Sequence, residues 1–388
     1  MRPGGVAGAA PGTVAWRELL AADPIAVEHP RPTAHDLALL QYTSGTTGLP
    51  KGAMLTHRNL ESNALMGRYW LGSGEREVVH GVLPHFHAFG LTLGVTFAMS
   101  LGARLVLFPS VRADLVLGAM QRARPTVLPA VPPVYQKLLD AAPEQGVDLR
   151  GIPVAVSGAM SQRVPLVERW EQATGGVLIE GYGLTECSPL VACNPLNDSR
   201  RAGSIGIPFP STEIRLVDPE TLEDVARDRP GELWVRGPQV FQGYWKRPDE
   251  TARALTADGW LHTGDVVTVD GAGFLRVVDR LKEVVITGGF NVAPSEVEAT
   301  LRRHETVEDA AVVGLADPRG DEVVVAAVTL VPGADLDEAV LREHCGAGLA
   351  RYKVPRWIVA VDDLPRTMLG KIQRREVREQ LQRTGVRL

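Results

Sequence analysis

The sequence predicts an α/β fold: a large N-terminal domain with a mostly parallel sheet subdomain and a small β-barrel-like subdomain, then a small α+β C-terminal domain. Three observations predict it. Between residues 104 and 158, strand-like and helix-like stretches alternate, which implies a largely parallel sheet with ligands at the C-terminal ends of its strands. From residue 206 to 266, alternating β stretches are separated by Gly and Pro turns, the pattern of an antiparallel subdomain. After residue 280 about a hundred residues remain, a usual size for a small separate domain.

The 388-residue chain is 45% hydrophobic, enough for a substantial core and roughly two to three domains. A net charge of −5 gives no basic footprint and argues against nucleic acid as a partner. Cys187, Cys193 and Cys345 are too scattered for a disulfide framework or a zinc site and fit a reducing cytoplasm. Residues 78–103 form the longest run free of Asp, Glu, Lys and Arg. Three histidines, Pro84 and several glycines interrupt it, so it reads as a buried loop and helix rather than a membrane span. Residues 1–13 carry one charge and no apolar segment; they read as a disordered tail, not a signal peptide.

In order along the chain, residues 14–22 form a helix candidate, 24–32 a connector and 37–41 a strand. The strand leads into YTSGTTGLPKGAMLTH, residues 42–57. Thr43, Ser44, Thr46 and Thr47 supply hydroxyls, while Gly45, Gly48 and Gly52 let backbone N–H groups approach anionic oxygens, and Lys51 adds a full positive charge. The pattern is not a Walker A loop, because its lysine follows a proline and precedes a glycine. A helix over 57–67 follows. His80, His85 and His87 lack a carboxylate or cysteine at ligand spacing, which argues against a metal site. Strands over 104–108, 126–131 and 154–157 alternate with helices over 114–123 and 134–142. Beyond the hundred-residue boundary, Ser295 with Glu298 reads as a capping box opening a helix over 295–304. Strands over 310–313 and 323–330, a helix over 335–347 and a strand over 357–361 follow, and Lys371 stands at the start of a final basic helix.

The residue 42–57 loop, LIEGYGLTECSP (178–189), DGWLHTGDV (258–266), the DRLKEVVITGGFNVAP segment and LPRTMLGKIQRRE follow one another in the order of the acyl-adenylate-forming enzymes, which this chain resembles. The runs YGLTECSPLVACNP, GSIGIPFPSTEIRLVD and GPQVFQGYW look most like bacterial long-chain fatty-acid CoA ligases. The resemblance implies that the loop (Thr43, Ser44, Gly45, Thr46, Thr47, Gly48 and Lys51) holds the β- and γ-phosphates of ATP. It implies that His87 lines the carboxylate end of the acyl pocket and that Gly158 and Ala159 form a small turn against the adenine. Tyr182 and Gly183 would flank the adenine, Thr185 touch the α-phosphate and Glu186 hold Mg²⁺. Asp265 would accept hydrogen bonds from both ribose hydroxyls, Arg280 reach the ribose, Lys282 act as the hinge of a mobile C-terminal domain (281–388), and Lys371 serve as the adenylation lysine.

The implied activity is ATP-dependent conversion of a medium- or long-chain fatty acid to acyl-AMP and then to its coenzyme A thioester. The alternatives are an acyl-AMP ligase without the CoA step, or an impaired nucleotide- or acyl-binding remnant. The second arises because little protein precedes the loop, where the family has a further α/β subdomain, so residues 14–280 are expected to lack it. The partners implied are fatty acid, ATP and coenzyme A. A homodimer and a peripheral contact with the inner membrane face are compatible with the family.

Overall fold

The computed structural model describes residues 14, 16–22, 31–43, 50–74, 76–226, 229–288, 290–316, 322–368 and 370–383. The chain separates into two units, residues 1–33 and 34–388. In the first, the described part is helix α1 (Trp16–Ala21). The connector and the tail expected over 24–32 and 1–13 lie almost wholly outside the described residues.

The second unit opens on a hairpin, β1 (Leu37–Thr43) and β2 (Lys51–Thr56), antiparallel with Thr43 opposite Lys51. The glycine- and hydroxyl-rich loop therefore joins two strands. Helix α2 (His57–Leu71) starts with a capping box: Thr56 accepts from the Asn59 amide while the Asn59 side chain accepts from the Thr56 N–H. The reciprocal pair satisfies two amides that a helix start leaves without intrahelical partners.

Strand β3 (Val78–Gly81) leads through the histidine segment to one wide helical turn (Gly90–Thr96) and α3 (Phe97–Leu101). The uncharged run is thus a strand, a loop and a short buried helix; no helix among the described residues is long and apolar enough to cross a membrane. Then β4 (Arg104–Leu107), α4 (Ala113–Arg122), β5 (Val127–Ala130), α5 (Pro132–Glu144) and β6 (Val154–Ser157) alternate as the sequence predicts, and α6 (Val164–Thr174) and β7 (Val177–Gly183) extend the pattern. With β8 (Leu190–Cys193) and β9 (Ile207–Pro208) they build a seven-stranded sheet in the order β4-β3-β5-β6-β7-β8-β9, parallel as far as β7 and antiparallel beyond. Tyr135 on α5 donates to the Leu128 and Val156 carbonyls and meets the edge of Trp170 on α6. Both rings are fully buried, so α5 and α6 are pinned to one face of the sheet.

Strands β10 (Glu213–Val217), β11 (Gly231–Arg236), β12 (Leu261–Val269) and β13 (Leu275–Arg280) form the antiparallel sheet, with α7 (Pro248–Ala254) inserted before β12. Its inner face shares one core with Ala53 and Leu55 of β2 and with Val191 and Ala192 of β8, which sets the β1–β2 hairpin against this subdomain. The rest comprises the hairpin β14 (Val285–Thr287) and β15 (Phe290–Val292), helix α8 (Pro294–Leu301), strands β16 (Val307–Ala316) and β17 (Glu322–Leu330), α9 (Glu338–Gly348), β18 (Trp357–Ala360) and α10 (Arg374–Arg383).

Two expectations need correction. The Ser295–Glu298 capping box does not form: Ala293 is the cap residue of α8, Ser295 Oγ donates to the Val278 carbonyl, and the Glu298 carboxylate is taken by the Val312 amide and Arg374. Bidentate pairing with a buried guanidinium outcompetes a single backbone N–H for the same oxygens. Lys371 lies in a loop three residues before α10 rather than on it.

Candidate active site

The C-terminal ends of β6 and β7 carry a compact turn. Gly158 is buried where a Cβ would sit 3.3 Å from the Phe89 ring and from the Gly181 carbonyl, and Ala159 adopts a left-handed φ of +65°. A Cβ on Gly183 would fall 2.0 Å from the Pro189 carbonyl, so this approach of two backbones requires glycine. The histidine loop therefore packs directly onto the turn expected to face adenine.

Behind that turn Ser157 Oγ donates to Gln162 Oε1 (2.7 Å), and the Gln162 amide donates to Glu180 Oε1 (3.2 Å). The other Glu180 oxygen is buried without a hydrogen-bond partner among the described residues, and burial pushes its carboxyl up to about 8. Because the folded-state value is raised, the unfolded chain loses this proton from about pH 4.5 upward while the fold keeps it, and stability falls until pH passes about 8. Glu180→Gln keeps the shape and removes the titration. It should match the parent's stability at pH 5 and exceed it by on the order of 2–4 kcal/mol at pH 9, read by urea unfolding.

The best-defined cluster lies where the antiparallel sheet meets β7. Asp265 on β12 and Arg280 on β13 are paired in register, and Arg280 Nε donates to Asp265 Oδ1 at 3.0 Å. Tyr182 Oη donates to the second oxygen at 2.5 Å. Asp265 is 4% exposed, so both its oxygens are engaged, as a buried carboxylate must be. Lys371 enters the same site from the C-terminal loop. Burial and then the charge of Arg280 hold its ammonium down to about 8, while Glu283 and Asp265 oppose the shift.

That loop is set by Pro133 on one side and by ion pairs within residues 281–388 on the other. Gly370 has a φ of +84°, and a Cβ there would meet Pro133 at 3.3 Å. Arg366 donates to the Gly370 carbonyl (3.1 Å) and to Asp309 (2.6 Å). Arg374 binds Glu298 and Glu283, which places Glu283 next to Lys371. Lys282 is exposed in the turn just after Arg280.

At the β1–β2 hairpin, Thr43 and Lys51 face each other; Ser44, Gly45, Thr46, Thr47 and Gly48 lie outside the described residues. Lys51 pairs with Glu250 of α7 and lies 4.9 Å from the centre of the Tyr244 ring. Thr185 and Glu186 occupy a short helical turn after β7, and Glu186 Oε1 accepts from Tyr244 Oη at 2.7 Å. Among the described residues Oε2 of Glu186 accepts no hydrogen bond, and a carboxylate oxygen is the donor type that suits Mg²⁺. His87 is half-buried; burial lowers its pKa, and Nδ1 accepts from the Phe89 amide (3.2 Å).

Sequence reasoning missed Tyr244, Glu250, Glu283, Arg374 and Gln41. Tyr244 stands in GPQVFQGYW, whose GYW could have singled it out, but its two partners come from other segments. Gln41 donates to the Phe86 carbonyl at 2.5 Å, joining β1 to the histidine loop; no local pattern marks that bond.

An AMP-binding enzyme family model matches residues 7–245, and an AMP-binding enzyme C-terminal domain model matches residues 296–371. A long-chain-fatty-acid–CoA ligase of Bacillus subtilis is 41% identical over 89% of this chain and 62% of its own length. A methyl-dioxo-octahydroindenyl propanoyl:CoA ligase of Mycobacterium tuberculosis is 39% identical over 94% of this chain and 71% of its own. This chain thus spans about three-fifths of the length of the first of these relatives. The ATP-bound crystal structure of MatB from Rhodopseudomonas palustris superposes with a TM-score of 0.87 and its apo structure with 0.73, both 34% identical and covering 94% of this chain and 72% of that one. The arrangement here is therefore nearer the ATP-bound form. Matched by the family's models in both its halves and related to these enzymes along nearly its whole length, the chain belongs to the AMP-binding enzyme family.

Proposed function

We propose that the chain activates a carboxylic acid with ATP, forming an acyl-AMP and then a coenzyme A thioester, and that the acid is a medium- or long-chain fatty acid. The observation that carries this reading is the arrival of Lys371, from the far end of the chain, beside the Asp265–Arg280–Tyr182 cluster. The relatives include ligases named for unlike acids, so the chain length of the acid is the finer part of the proposal.

In this reading Asp265 holds the ribose, Tyr182 and Gly183 border the adenine, and the hairpin loop carries the terminal phosphates. A carboxylate oxygen of the acid attacks the α-phosphorus, the bond to the bridging oxygen of the β-phosphate breaks, and pyrophosphate leaves. Two anions must meet, so the barrier is chiefly electrostatic, and Lys371 supplies the cation between them. Mg²⁺, held by Glu186, would add charge neutralisation on the phosphates when bound. The thiol sulfur of coenzyme A then attacks the acyl carbon, releasing AMP as its proton leaves. Rotation about Lys282, withdrawing Lys371, lets one site serve both steps.

The test is ATP–pyrophosphate exchange with a panel of acids of increasing length, followed by addition of coenzyme A. Acid-dependent exchange and then thioester are expected. Exchange without thioester leaves an acyl-AMP ligase, and ATP binding without exchange overturns the catalytic reading.

A further inference from the structure

We propose that Tyr244 is a positioning residue for the divalent cation: its hydroxyl orients the Glu186 carboxylate, and its ring ties that carboxylate to Lys51 of the phosphate hairpin. The inference rests on the ATP-dependent reading above and extends it to a side chain that reading gave no role.

Three observations carry it. Tyr244 Oη donates to Glu186 Oε1 at 2.7 Å, leaving Oε2 free among the described residues. The Lys51 ammonium sits 4.9 Å from the ring centre and is paired to Glu250. The segment around Tyr244 is fixed by backbone bonds to both sides: Trp245 N–H to the Gly52 carbonyl (2.8 Å), Met54 N–H to the Gly243 carbonyl (2.9 Å), and Phe241 N–H to the Glu186 carbonyl (2.9 Å). One buried side chain thus meets both the carboxylate and the lysine that the reading above assigns to ATP.

The physical consequence concerns entropy and orientation. A glutamate has several rotatable bonds, and freezing them when the cation arrives costs affinity. A hydrogen bond from a fixed donor freezes them beforehand and leaves the second oxygen for the metal, the way outer-shell partners orient metal ligands elsewhere. The phenol of Tyr244 is the donor in this bond and the carboxylate the acceptor. The charged groups around it are Glu186, Lys51 and Glu250.

The experiment titrates ATP binding with Mg²⁺, by intrinsic tryptophan fluorescence, in the parent chain and in Tyr244→Phe. Phenylalanine keeps the ring under Lys51 and the packing on Phe241, and removes only the hydroxyl. The half-saturating Mg²⁺ concentration should rise about tenfold, the size of one hydrogen bond to a charged group. Metal-free ATP affinity, acid affinity and the melting midpoint should stay close to the parent's. In a Glu186→Gln background the same substitution should add no further shift. An unchanged Mg²⁺ dependence, or a shift that persists in that background, overturns the assignment while leaving the ligase reading intact. A parent chain that binds no ATP overturns both.

Discussion

Replacing Lys371 by alanine is expected to lower ATP–pyrophosphate exchange by two to three orders of magnitude, the usual cost of removing one preorganised electrostatic contact to a transition state. Metal–ATP binding should survive, because the ribose, adenine and phosphate contacts assigned above do not include this lysine. The pH profile supplies an independent check. With its pKa held down to about 8, Lys371 loses charge in the free site as pH rises through that value, so kcat/KM for exchange should fall on the alkaline side. The residual activity of Lys371→Ala should show no such limb. The lysine's stability effect has the opposite sign: between about pH 8 and its ordinary value the unfolded chain binds more protons, and the fold gains stability as pH rises. Exchange by Lys371→Ala at the parent's rate would remove the lysine from the reaction.

The second large effect concerns Asp265. Asp265→Ala removes the acceptor of both Tyr182 Oη and Arg280 Nε and leaves a partly buried phenol and a half-buried guanidinium without it. Breaking a buried pair costs about 3–5 kcal/mol. Because the Arg280 side chain is 40% exposed, water takes up part of that loss, and about 2 kcal/mol is expected in urea unfolding. ATP affinity should fall at least about a hundredfold, since two hydroxyls lose a charged acceptor. Asp265→Asn keeps the volume and should recover most of the stability but little of the affinity, separating scaffold from site. Unchanged ATP affinity in both variants would sink the ribose assignment.

Much of this was legible in the residues themselves. The β/α alternation from β4 to β6, the antiparallel run from β10 to β12 and the helices α4 and α5 follow from periodicity and turn residues, which act over a few positions. Candidate residues such as Glu186, Asp265, Arg280 and Lys371 were named from the order of motifs. That order depends only on the linear chain.

Tertiary structure decided the pairings. The Glu186–Tyr244 bond spans 58 positions and the Gln41–Phe86 bond 45; no local rule reaches so far. The failed capping box shows the same limit from the other side. Ser295 and Glu298 have the right spacing, but the Val278 carbonyl and Arg374 offer those side chains stronger partners once the chain is folded. By itself the sequence determined most of the regular elements and which residue types are present for the adenylation proposed above. Only the fold decided which of them meet, because hydrogen bonds and ion pairs depend on distances that chain order does not encode.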